Sequence, residues 1–497
     1  MLNDTIYDPI WFDLDPSLYY ENNNNSCGFI PNAHIIDEVD RKDMWQTTEP
    51  PTGTPISGIG STVVRMDLFD KDKHFAHLVP LKALRDALLR NAIAAVAAKQ
   101  LGRVKGHKLF GANQCQKPAM MEVIEDASNI DWFYKAANYY DKAIAFSRTY
   151  LAALSGDMTR PSSPNAPPSP SMGNSDDLLA AVSIFSLYES LDNMELGMIG
   201  WFQHLTGLRS LFTAVSANQQ EQGQLIPSIT VGRQASFWNF ARADWQAAYY
   251  NRQKTLIDTE DVRLWRSCGL QLPFGGSLYT DPISIKNDPL HCREIVQLVT
   301  HTILWLVLRV TNYLASDSQQ DSQARQAMWE ELTAQLEVWY GNLPETFRPC
   351  AQIRYPLQMR SRRGGTSQLT EVFFSIHQCA AAIQLYHFAC ILLLLNKPSA
   401  GMGVMSRLKA YREISAEATK HARSVVGIAL GRPHPAVRVE MNLPLYVAGG
   451  CLEADEERKV VLELLRAIEQ DTGVSTEVKV RSLIDEWGWA QEPEGII

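Results

Sequence analysis

The segment EVFFSIHQCAAAIQLYHFACILLLLNKP, residues 371–398, carries no Asp, Glu, Lys or Arg between Val372 and Asn396. It is long enough to cross a hydrocarbon core. Against a membrane span stand His377, Gln378, Gln384 and His387, spread along its length, because isolated polar groups in lipid are costly. Ile383, Tyr386, His387, Cys390, Ile391 and Leu394 recur at three- and four-residue steps and so share one stripe of a helix, with Gln384 off it. The reading is a central helix buried on most sides in a large helical domain and ended by Pro398.

The neighbouring sequence supports that reading. From residue 79, VPLKALRDALLRNAIAAVAAKQLG predicts one long helix with the stripe Leu81, Leu84, Leu88, Ala92, Ala95 and Val96, stopped near Gly102. Arg103, Lys105, His107 and Lys108 then read as an exposed basic loop. Helices are expected over 129–154, 178–191, 201–214, 234–252, 294–314, 324–340, 414–430, 453–471 and 476–487. In 234–252, Phe237, Trp238, Phe240, Ala241, Trp245 and Ala248 are placed inward, with Arg242 and Asp244 on different sides. In 324–340 the inward set is Trp329, Leu332, Leu336 and Trp339. Residues 260–289 are turn-rich. No βαβ rhythm and no run of alternating strands is present, so the fold class is all-α.

Two stretches break the pattern. Residues 1–62 combine acidic and aromatic side chains (Tyr7, Asp8, Trp11, Phe12, Asp13, Asp15, Tyr19, Tyr20, Glu21) with an Asn run and a Pro/Gly/Thr stretch. They are expected to be a largely disordered tail, either an activation-type interaction segment or a plain solvated tail that docks back. Residues 155–177, SGDMTRPSSPNAPPSPSMGNSDD, hold five prolines and read as a loop inside a helical domain spanning 63–490. Ser163-Pro164 and Ser169-Pro170 in it are the dipeptides that proline-directed phosphorylation uses.

Composition limits the functions. The 497 residues are 45% hydrophobic and 20% charged, with a net charge of −9, which suits a sizeable core and not a surface that neutralises nucleic-acid phosphate along its whole face. The N-terminus shows no basic n-region or apolar h-region, so no signal peptide is expected. The eight cysteines, at 27, 115, 268, 292, 350, 379, 390 and 451, contain no C-x2-C and read as small buried side chains of a reducing compartment.

Catalytic signatures are missing. Neither G-x-x-x-x-G-K-[ST] nor G-x-S-x-G nor H-E-x-x-H occurs, and Gly58-Ile59-Gly60 lacks its third glycine. The acidic cluster Asp37, Glu38, Asp40, Asp43 precedes the first helix and does not repeat D-D-x-x-D, the pattern a terpene-cyclase-like enzyme needs for Mg²⁺. His387 and Cys390 lie one turn apart but His377 is far along the axis. These three, like His291, Cys292 and His301, are read as core residues and not as metal ligands. Arg309, inside an apolar helix, must be paired, bridging helices or lining a pocket for an acidic small molecule. No catalytic, cofactor-binding or metal-ligating residue is assigned, no cofactor is expected, and the chain is not read as an enzyme.

Several phrases together resemble the regulatory (middle homology) domain of fungal zinc binuclear-cluster transcription factors. LLAAVSIFSLYESLD with WFQHLTGLRSLF places Glu189, Trp201, His204, Gly207 and Arg209 as that family does, and FWNFARADWQAAYYNRQ carries its R-x-D at Arg242 and Asp244. VPLKALRDALLRNAIAAVAA, WEELTAQLEVWYGNLPETFRP, QLYHFACILLLLNKP and PLYVAGGCLEADEERKVVLELLRAIEQDTGVST with DEWGW follow in the family's order across about residues 75–490. The resemblance implies an all-helical regulatory domain in a nuclear transcription regulator of metabolic or secondary-metabolite genes. The family's six-cysteine DNA reader at C-x2-C-x6-C spacing is not encoded, so neither zinc nor direct DNA binding is carried over. The implied partners are DNA-bound transcription factors, a homo- or heterodimer partner, or a sensed small molecule, and no membrane. A truncated gene model of a DNA-binding member, and an all-α small-molecule-binding protein or terpene-cyclase-like enzyme, remain as alternatives. Arg360, Arg362 and Arg363 form the best basic run for nuclear import.

Overall fold

The computed structural model describes residues 65–106, 130–154, 175–191, 198–221, 229–271, 289–316, 322–355, 369–398 and 404–489. Among them the protein is all-α, with fifteen α-helices and one two-stranded ribbon. In chain order the elements are α1 His74–Ala83, α2 Ala87–Gly106, α3 Trp132–Leu154, α4 Ser175–Ser190, α5 Met198–Glu221, α6 Val231–Asn251 and α7 Val262–Ser267. Then come α8 Pro289–Leu314, α9 Ser322–Gly341, β1 Ala351–Arg354, β2 Thr370–Phe373, α10 His377–Leu395, α11 Val404–Leu430, α12 Pro435–Glu440, α13 Asn442–Gly450, α14 Asp455–Thr472 and α15 Glu477–Glu486.

Two hydrophobic clusters meet along α4 and α6. The smaller joins α1 to α4, with Phe75, Leu89, Ala92 and Phe185 inside. The larger runs from α5 to α15 around α6, α8 and α10, and buries Trp245, Trp265 and Trp339 completely. Helices α8 and α10 are both long and apolar enough to span a membrane, yet 83% and 72% of their most apolar windows are buried inside the protein. Their neighbours are other helices: Trp329 Nε1 donates to the Leu393 carbonyl at 2.8 Å, and Tyr313 Oη to that of Asn396 at 2.9 Å.

Helix α10 is where the sequence reading needed its first correction. Residues 371–373 pair with β1 as an antiparallel strand, Glu371 opposite Ile353 and Phe373 opposite Ala351, and the helix starts only at His377. AQIR and TEVF are four-residue runs, too short to show a period of two. Gln384, off the expected stripe, is fully buried and donates to the Glu440 carbonyl at 3.1 Å. Both sides of α10 are packed, so the stripe does not mark the only inward face.

The first helix is in fact two. Asp86 accepts from Leu89 N at 3.1 Å and caps α2, satisfying an N–H that the helix start leaves open. The axis breaks at residues 84–86, and Leu81 and Leu84, expected inward, are 63% and 73% exposed. Helix α2 runs past Gly102 to Gly106, so Arg103 is helical and donates to the Gly473 carbonyl instead of sitting in a loop. Helix α4 begins at Ser175, taking Asp176 and Asp177 out of the expected loop and into a first turn, where acidic groups oppose the helix dipole favourably. Helices α12 and α13 were not anticipated; Pro435 stands at N1 of α12, where proline is compatible with a helix.

The β-ribbon lies on α11 because α11 is bare where they touch. A Cβ on Gly427 would collide with the Thr370 carbonyl, and one on Gly431 with that of Val372. Residues 1–62, the Ser-Pro pairs at 163–164 and 169–170, Lys108 and the run Arg360–Arg363 lie outside the described residues.

Candidate functional site

The strongest candidate site is a surface cavity of about 380 Å³, within the range of small-molecule pockets of about 300–1,000 Å³. It lies between the segment preceding α1, the first turns of α8 and the start of α10. Phe69, Val296 and Ile376 supply apolar wall, and Lys71, Lys73 and Arg293 supply cationic rim, with no carboxylate among the lining residues. Glu294, beside the rim, is exposed and pairs with Lys71 at 3.2 Å. Asp67 and Asp70 are turned away from the cavity onto backbone: Asp67 accepts from Phe75 N and Ala76 N, Asp70 from Asp72 N and His74 N.

The rim is held in shape from beneath. Lys73, the residue before α1, adopts a left-handed backbone with φ 53°, which costs a non-glycine residue about 1–2 kcal/mol. Its Nζ donates to the Asp67 carbonyl at 2.8 Å. His301, on α8, donates from Nε2 to the Phe69 carbonyl at 2.8 Å and stacks on Trp238 with ring centroids 3.6 Å apart. Full burial pushes the His301 pKa down to about 3, against the bond to the Phe69 carbonyl, which raises it, so the ring is neutral near pH 7.

A second, smaller cavity of about 30 Å³ lies deep between α4, α5, α6 and α12. Glu440 Oε1 there accepts from Arg65 Nε at 3.2 Å and Arg242 Nη1 at 3.0 Å, and Oε2 from Gln246 at 2.9 Å. It is too small for an organic effector.

The other residues singled out by sequence fall into structural arrangements. Glu189 and His204 are joined by Tyr140, whose Oη donates to Glu189 at 2.7 Å and meets His204 Nε2 at 2.6 Å. Burial pulls His204 down to about 4 and, with Glu189 beside it, raises Tyr140. Trp201 donates to Ser186 at 2.9 Å. Asp244 accepts from Leu256 N and Ile257 N, both at 2.8 Å, while Arg242 faces Glu440 on another side of α6. Arg309 bridges helices: it reaches Glu331 at 3.0 Å and Gln335 at 2.6 Å on α9, and Glu260 at 3.4 Å.

His377 stands against His434 with centroids 4.9 Å apart, and His387 meets His421. Among the described residues no three His, Cys, Asp or Glu side chains converge as a metal site. Cys292 lines the large cavity, and the side chain of His291 lies outside the described set. The large cavity was not legible in the sequence. Its cations, Lys71, Lys73 and Arg293, come from two segments more than two hundred residues apart, which only the tertiary fold brings together.

The chain is similar to a protein of Alternaria alternata, the transcription activator AMTR1, at 30% identity over 483 aligned residues. The match takes in 85% of this chain but 61% of AMTR1, so the chain spans less than two thirds of the relative's length. No protein-family profile and no solved structure matches it.

Proposed function

We propose that the chain is a non-enzymatic transcription regulator acting in the nucleus, built on the helical regulatory domain of the zinc-cluster family. The observation that carries this is the similarity to a transcription activator along 85% of the chain. The helical architecture agrees with it. The regulator acts through DNA-bound protein partners, and its large cavity takes a small amphipathic anion: apolar wall for the body, Lys71, Lys73 and Arg293 for the charge. Binding favours one packing of the segment before α1 against α8 and α10, shifting the population of partner-competent molecules.

The test is deletion of the gene followed by transcript profiling, with complementation by the wild type and by the Lys73→Glu/Arg293→Glu variant. The reading requires a defined set of transcripts to fall or rise on deletion, return with the wild type, and respond poorly with the charge-reversed cavity. Unchanged transcripts on deletion overturn the regulatory role. Full rescue by the variant overturns the cavity's part in it.

A further inference from the structure

Two buried guanidinium groups share one carboxylate around the deep cavity. The side chains of Arg65, Arg242 and Glu440 are 8%, 8% and 4% exposed. Glu440 is the one carboxylate among the described residues lining the cavity, so the trio Arg65, Arg242 and Glu440 carries a net charge of one positive unit. A buried charge left uncompensated is costly. Arg242 spends its donors on the Arg65 carbonyl at 2.9 Å, on Asn239 Oδ1 at 2.8 Å and on Glu440. Arg65 is different: its Nε reaches Glu440, but its Nη1 is buried and has no hydrogen-bond partner.

Most other donors of the wall are already engaged. Gln246 and Arg242 line the cavity beside the carboxylate. Ser183 and Ser190 send their protons to the Leu179 and Leu187 carbonyls. Ser186 instead accepts from Trp201 Nε1, and its own proton finds no acceptor among the described residues.

We propose that this cavity is a binding site for one monatomic anion, chloride under cellular conditions, held by Arg65 Nη1 and the Ser186 hydroxyl and neutralising the Arg65–Arg242–Glu440 node. The volume of about 30 Å³ decides the class. A space of that size admits about one or two water-sized bodies, hence a halide, and excludes sulfate, phosphate and organic acids. Burial and the neighbouring Arg242 also draw the Arg65 pKa down to about 10, the strain that a bound anion relieves. The site is independent of the transcriptional reading and of the larger surface cavity. Its effect is to lock the segment at Arg65 onto α6 and α12.

The experiment uses the full 497-residue chain. Thermal unfolding is followed as sodium chloride replaces sodium gluconate at constant ionic strength, and crystals are soaked in sodium bromide for anomalous diffraction. The expected result is a saturable rise in Tm, roughly 2 °C for chloride at ten times its dissociation constant, together with a bromide peak beside Arg65 and Ser186. Arg65→Met leaves Arg242 and Glu440 as a neutral pair and removes the saturable rise. Equal Tm values in chloride and gluconate, or a rise that survives Arg65→Met, overturn the proposal. Should that variant fail to fold, the bromide map decides alone: density without an anomalous signal means water and sinks it.

Discussion

His387 and His421 meet Nδ1 to Nδ1 at 2.8 Å across the α10–α11 interface. One ring must carry the proton at that contact and the other must present a lone pair, so the two cannot both be charged. Burial pushes His387 down to about 3, with His421 as a second cause, and burial also lowers His421. Glu337, Glu417, Lys420, Tyr386 and Cys390 complete the surroundings. Because the folded pKa lies below the unfolded value of about 6.5, the contribution of His387 is fully present above pH 6.5 and is lost as pH falls toward 3. His387→Asn, which keeps an acceptor near the Nδ1 position, should flatten stability against pH between 6.5 and 5 by up to about 1.4 kcal/mol per pH unit. Urea unfolding at the two pH values checks this, and parallel slopes for the two proteins would refute it.

Gly427, Gly431 and Gly207 make a controlled comparison. Alanine normally gains about 1 kcal/mol over glycine inside a helix. At Gly207 a Cβ meets nothing within 4 Å, so Gly207→Ala should be neutral or stabilising. At Gly427 and Gly431 the Cβ meets the carbonyls of the β-ribbon, and alanine there should cost about 1–3 kcal/mol as the packed backbone is forced apart. Denaturation midpoints of the three variants measure the contrast.

Glu440→Gln should be among the most damaging single changes in the chain. It leaves Arg65 and Arg242 buried with no anionic partner among the described residues, a loss of about 3–5 kcal/mol when one side of a buried ion pair is removed. Adding Arg65→Met to it should recover part of the loss, since one of the two stranded charges is then gone. Chemical denaturation of the single and double variants gives the coupling.

The break before α2 separates two readings of the same residues. Asp86→Ala removes an N-cap and the acceptor of Tyr150 Oη and should cost about 1–2 kcal/mol. Leu84→Ser changes a side chain that is 73% exposed and should stay within about 0.5 kcal/mol of the wild type. A large loss at Leu84 would restore the single continuous helix.

What the sequence made legible was the long apolar helices, because their periodicity survives over many turns. α6 and α8 lie about where the pattern places them, α10 does so from His377 onward, and Phe237, Trp238, Phe240, Ala241, Trp245 and Ala248 are all buried. The errors cluster where a local signal competes with that period. Asp86 within LRDALL is a cap, but the leucines on either side of it continue a plausible stripe. The candidate site was illegible for another reason: Phe69, Lys73, Arg293 and Ile376 belong to three separate segments, and no spacing rule links them. Glu189 and His204 carried a recognisable pattern, yet Tyr140, which joins them, lies in another helix and had no motif of its own.

The bond from Arg65 to Glu440 closes over 375 residues of chain. A ribosome adding roughly 5–20 residues per second needs about 20 to 75 s to make that interval. Throughout that time the Arg65 guanidinium has no Glu440 to meet, and α6 waits with Arg242 in the same condition. Until α12 has been made, the segment before α1 lacks this one tie to Glu440. A stop codon anywhere before Glu440 would yield a chain whose two central arginines lack that carboxylate.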